Sequence, residues 1–180
     1  MAFIKREKKV VHKHTQYENL NTPDDVIKLA LSREVETEPL DIAELVKVLG
    51  IKINFEPMKD DESGSLIKHK KTGDWHIKVN SLHHPHRQRF TIAHEIGHHI
   101  KHGAFADEFI DTTFFRNNES NRQEAEANAF AAELLMPKDK FNAFIEAGNT
   151  QVEDISKHFQ VSSMAVRIRA KQLGYKGHNL

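Results

Sequence analysis

Two histidines and a glutamate at close spacing, His94-Glu95-Ile96-Gly97-His98, are the residues of this 180-residue chain best suited to chemistry. On an α-helix, residues four apart share a face, so His94 and His98 present two imidazole nitrogens to one metal ion. Glu95 lies about 100° round the helix from His94, within reach of a water held by that ion. Such a set suits hydrolysis, in which the ion polarises a carbonyl and a carboxylate takes the proton of water. The spacing alone proves little: the chain has 13 histidines, and its composition yields roughly 0.08 chance occurrences of H-E-x-x-H. Context has to decide, and a catalytic zinc takes three protein ligands and keeps a fourth position for water.

The third ligand must come from elsewhere. His102 is one turn past His98, but a straight helix carries it about 6 Å further along the axis, away from the same ion. The run NRQEAEANAFAAELLM reads as an alanine-rich helix, with a capping-box pattern at Ser120 and Gln123 and a stop at Met136-Pro137. It carries Glu124, Glu126 and Glu133. Glu124 stands three, four and seven residues before Ala127, Asn128 and Ala131, so it extends the buried stripe that runs on to Leu134 and Leu135. Glu126 and Glu133 share a polar face. A carboxylate turned toward a core needs a partner that offsets its desolvation, and a metal is one. On this reading His94, His98 and Glu124 bind Zn2+, with Glu95 placed to handle its water.

The elements that position these side chains show as periodicities. Thr22-Pro23 with Asp24 and Asp25 opens a helix, and a second helix spans 41–49, with Gly50 ending it. Ile51, Ile53 and Phe55 then alternate with Lys52 and Asn54, as a strand requires. A short strand at 65–68, a turn at Thr72-Gly73-Asp74 and a strand at 75–80 form a hairpin. The result is a small sheet, read as antiparallel, that leads into the motif helix. Its strand 75–80 is the one expected to pair with an extended substrate. Residues 104–118 read as a loop holding Phe105, Phe109, Phe114 and Phe115 as core anchors. Thr150 and Glu153 form a capping-box signal for the first of two short helices, 151–159 and 163–173, in a helix-turn-helix pattern. Arg167, Arg169 and Lys171 give the second of them a basic side. The favoured reading is a helical subdomain packed on the body, with DNA contact as the alternative.

Composition sets the outer bounds. Apolar residues make up 38% and charged residues 29%, a globular balance, and the formal net charge is zero, which gives no general pull toward nucleic acid or membranes. The absence of cysteine excludes disulfides, thiolate metal sites and cysteine nucleophiles. The N-terminal stretch is basic without an apolar core, and no run has the length of a membrane span, so the expectation is a cytoplasmic protein. The expected organisation is a basic, flexible arm at 1–20, a metal-binding body at 21–148 and the helical subdomain at 149–180.

Taken together, three stretches resemble the ImmA/IrrE family of bacterial and phage metallopeptidases. They are His94-Glu95-Ile96-Gly97-His98, preceded by Arg89-Phe90-Thr91; Glu124-Ala125-Glu126-Ala127-Asn128-Ala129-Phe130-Ala131; and Leu134-Leu135-Met136-Pro137. The resemblance covers residues 40–175. It implies an α+β, zincin-like fold with a mainly helical C-terminal half, and a gluzincin-type zinc site. In it the E-x-x-A-N pattern places the glutamate ligand at Glu124, with Glu95 as general base. It also implies a protein substrate: members of the family act on helix-turn-helix repressors, and others lie beside antitoxin-like gene pairs. A competing expectation is a DNA- or repressor-binding regulator whose zinc is structural.

Overall fold

The structure, a computed structural model, describes residues 19–59, 62–103, 107–112 and 118–176, with the side chains of 109–112 and 118–121 left out. Residues 1–18, on which the expectation of a basic arm mostly falls, lie outside them. The first two helices begin where their capping residues place them. In α1 (Pro23–Ser32) the Thr22 hydroxyl accepts from the Asp25 amide at 3.2 Å, and the Asp25 carboxylate accepts from the Thr22 amide at 2.9 Å. In α2 (Ile42–Val48) the Asp41 carboxylate accepts from the Glu44 amide at 3.0 Å. Each cap satisfies an amide that the first helical turn leaves without an intrahelical acceptor. α2 turns Ile42, Leu45 and Val46 inward.

The strands β1 (Lys52–Glu56), β2 (Glu62–Lys68), β3 (Trp75–Asn80) and β4 (Glu108–Thr112) form a sheet in the order β1-β3-β2-β4. β2 and β3 are the expected hairpin, antiparallel from Gly64↔Val79 to Lys68↔Trp75. The sheet as a whole is mixed, which corrects the antiparallel reading: β1 pairs parallel with β3, from Lys52↔His76 to Glu56↔Asn80. Alternation identifies a strand and its inward face but not its neighbour or direction. β1 arrives from α2 and joins the free side of β3, so its direction is set by that entry. As an edge strand it leaves Phe55 54% exposed. β3 is bonded on both sides, so its backbone groups are already used and it is not the strand that an extended substrate joins. β4, read from sequence as loop, pairs antiparallel with β2, with a register irregularity between Glu62 and Ser65. Of the four phenylalanines expected to anchor that loop, Phe105, Phe114 and Phe115 lie outside the described residues, and Phe109 falls in β4 with its side chain left out.

One face of the sheet carries α3 (Pro85–His102), and α4 (Asn118–Leu135) packs on α3. α4 begins at Asn118, two residues before the serine expected to cap it. The two helices run antiparallel, since His94 meets Asn128 while His98 meets Glu124. Gly97 is the point of closest approach: a Cβ there would lie 3.2 Å from both Cα and O of Ala127. Leu66, Ile77 and Val79 from the sheet, Ile92 and Ile96 from α3, and Ala131 and Leu134 from α4 belong to one buried cluster.

α5 (Lys138–Glu146), α6 (Val152–Phe159) and α7 (Ser163–Gln172) follow among the described residues. The N-cap of α6 is Gln151, without a side-chain cap, in place of the expected Thr150. Val152, Ile155, Phe159 and Val166 join the same buried cluster as Leu134 and Phe141, so the final helices share the core of the body. Arg169, expected on an outward basic side of α7, is 5% exposed; its Nε donates to the Met136 carbonyl at 3.0 Å and its guanidinium approaches Glu133 at 3.8 Å. The α4 C-terminus offers carbonyls without helical partners, and the buried arginine takes one of them. Arg167 and Lys171 remain exposed. No helix among the described residues is long and apolar enough to cross a membrane.

Candidate metal centre

Pro85 at the first helical position starts α3, with the His84 ring accepting from the His86 amide. The partly buried Arg89 donates to the Leu40 carbonyl and ties the helix to the segment before α2. Sheet on one side and α4 on the other then enclose the middle of the helix, so that every residue from Thr91 to His98 is buried. The sequence places four polar groups in that enclosed stretch, Thr91, His94, Glu95 and His98. Buried polar groups of this kind need defined partners.

Two of them converge on α4. His94 Nε2 and His98 Nε2 lie 3.0 Å apart. Glu124 Oε2 is 3.3 Å from His94 Nε2, and Glu124 Oε1 is 3.2 Å from His98 Nε2. Ligands about 2.0–2.1 Å from a tetrahedral ion stand about 3.3 Å from one another, so the spacing suits three corners of such a site. Among the described residues His94, His98 and Glu124 are the group able to hold a metal ion. The glutamate selected from the helical stripe of α4 is thus the one that meets the two histidines, while Glu126 pairs with Arg122 at 2.9 Å and Glu133 approaches Arg169. Burial pushes the Glu124 carboxyl up, but the hydrogen bonds and charges of His94 and His98 outweigh it and hold the carboxyl at about 2. Its side chain keeps about a third of its surface open, whereas the two imidazoles are nearly closed.

Glu95 is 0% exposed. β2 passes so close that a Cβ at Gly64 would lie 3.4 Å from Glu95 Oε1, 2.5 Å from Thr91 Cγ2 and 2.7 Å from the Lys78 carbonyl. Only glycine lets the strand lie there, so β2 roofs the carboxylate that adjoins the first histidine.

Asn128 was not assigned a role from sequence. Its Oδ1 is 3.0 Å from His94 Nδ1, where it accepts the ring proton and so fixes the tautomer whose Nε2 can act as a metal donor. The spacing carries a signal for it, since Asn128 stands four residues after Glu124 on the same side of α4. Asn128→Ala is expected to weaken metal affinity by about 10–100-fold, the usual effect of losing such an outer partner; competition with a chromophoric chelator measures it. Of the other histidines, His83, His84 and His86 stand at the far N-terminal end of α3, and His99 packs its ring against Trp75 at 5.1 Å between centroids.

Residues 46–171 match the Peptidase_M78 family, described as the IrrE N-terminal-like domain. No curated protein matches the chain. Among solved structures, a Mycobacterium tuberculosis transcriptional regulator is similar in fold, with a TM-score of 0.61 and 19% identity over 88% of this chain and 48% of that one. The chain therefore spans about half the length of that regulator.

Proposed function

The chain belongs to the IrrE N-terminal-like domain family of peptidases, and from that premise we propose that it is a cytoplasmic zinc endopeptidase that cuts a helix-turn-helix repressor or an antitoxin-like partner. The observation that carries the reading is the fully buried Glu95 carboxylate, next in the chain to one corner of a three-ligand cluster. A structural metal site has no use for a buried acid beside it, whereas hydrolysis needs a proton acceptor there.

A bound divalent ion supplies an acidified water and a polarised scissile carbonyl. The donor set, two imidazoles and a carboxylate, suits zinc better than magnesium or calcium, which favour all-oxygen shells. Glu95 accepts the proton of the water and passes it to the leaving amine. Asn128 fixes the His94 tautomer, and Glu124 contributes the negative charge that makes the cluster attract a cation. Among the described residues β4 is bonded on one side only, and its other edge is where an extended substrate adds as a strand. Residues 21–148 form the peptidase body in this reading, and 149–180 a helical subdomain carried on it.

The test is to incubate the protein with the purified helix-turn-helix repressor encoded beside its gene and to weigh the products by intact-mass spectrometry. A discrete cut is expected, abolished by a chelator and restored by Zn2+. An uncut repressor in the presence of zinc-loaded protein rules out that substrate, and cleavage that survives chelation rules out the metal mechanism.

A further inference from the structure

His102 lies one turn beyond His98 on the same side of α3 and is 6% exposed, yet no step of the proposed hydrolysis uses it. Sequence spacing puts it too far along the helix to share the ion, and the structure shows where it goes instead. Its imidazole faces the Gln123 backbone, and its Nε2 stands 3.7 Å from Glu126 Oε2, the distance of an ion pair and not of a hydrogen bond. Gln123 immediately precedes Glu124 in the chain, and Glu126 follows it by two. The other side of the ring faces His98, with centroids 5.6 Å apart. His102 therefore touches one ligand and the α4 backbone that presents another.

We propose that His102 is a positioning residue that clamps the N-terminal part of α4 to the last turn of α3, so that Glu124 is held against the His94/His98 pair. The proposal rests on the metal-site reading above. Glu124 is only six residues into α4, which begins at Asn118, and helix ends open more readily than helix middles. The close approach of Gly97 to Ala127 fixes α4 further in, one turn past Glu124. Between that point and the helix start, His102 supplies two further polar contacts, one on either side of the ligand in the chain. A ligand presented within about 0.5 Å of its productive place binds a metal well, and a looser one does not. Hydrogen-bonding partners that orient a ligand typically govern about 10–100-fold of metal affinity.

The test uses the whole chain, stripped of metal and titrated with Zn2+ against a chromophoric chelator, and with Co2+ read by its visible absorption. His102→Ala is expected to weaken zinc affinity about 10–100-fold and to broaden or weaken the cobalt bands. His102→Gln keeps a side-chain donor on the side facing Gln123 and Glu126 and is expected to recover most of the affinity. Circular dichroism of the metal-free variants reports folding separately, and the glutamine variant keeps the test open where the alanine variant unfolds. Wild-type affinity in a folded His102→Ala protein, or a folded glutamine variant no better than alanine, overturns the clamp. A wild-type chain that binds neither ion overturns the metal-site reading itself, and the clamp with it.

Discussion

Glu95→Gln is expected to leave the metal in place and to lower peptide hydrolysis by about 10²–10⁴-fold. The replacement is close to isosteric, which the site demands: Glu95 is 0% exposed and β2 packs over its carboxylate at Gly64. Glu95 is not one of the three grouped ligands, so His94, His98 and Glu124 are expected to keep their spacing. What disappears is the acceptor for the proton of water and its donor to the leaving amine. Two measurements on one sample separate the possibilities, metal content by elemental analysis and the rate of substrate loss by mass spectrometry. A variant that retains zinc and still cuts at the wild-type rate removes Glu95 from the mechanism, and the competing reading of a structural or sequestering metal then gains the ground. A variant that loses zinc would instead place Glu95 in the binding set.

The second large effect belongs to Glu124. Glu124→Ala is expected to reduce metal affinity by more than the roughly 100-fold that marks the loss of an outer partner, because it removes one of three donors outright. The histidine pair that remains, with its nitrogens 3.0 Å apart, offers two corners only. Glu124→Gln tests the charge separately: it keeps a donor oxygen but removes the carboxylate that the histidines hold ionised down to about 2. A weaker but measurable affinity is expected for it, between alanine and wild type, with hydrolysis falling in step with occupancy. Calorimetric titration with zinc reads both variants. Affinity equal to wild type in Glu124→Ala would show that the third ligand lies elsewhere.

Helix capping at Thr22, the second helix near 41–49, the hairpin of 65–80 and the helix that bears the histidines follow from short-range rules, and each is found in place. The turn chemistry and periodicities that specify them act over a few residues. Capping signals at Ser120 and Thr150 pointed to neighbouring positions, since any serine or threonine ahead of an acid or amide imitates the pattern, and only packing decides which turn of chain becomes helical.

The long-range pairings were another matter. Nothing in the alternation of Ile53 and Phe55 says that their strand lies beside β3 and parallel to it, and nothing local marks 108–112 as a partner of β2. Arg169 looks like a surface cation in a basic helix, and it is buried because the end of α4 presents the Met136 carbonyl there.

For the centre itself, sequence determined the two histidines, the acid between them and the one glutamate of three that faces inward. All of these follow from 3.6 residues per turn along single helices. Tertiary structure decided the rest: the distance at which α4 sits from α3, the bond from His94 to Asn128, and the placement of His102 beside Glu126. Those depend on how closely two helices approach at Gly97 and Ala127. Helical periodicity states which side chains share a face; which face of another helix they meet is settled by the packing of the whole core.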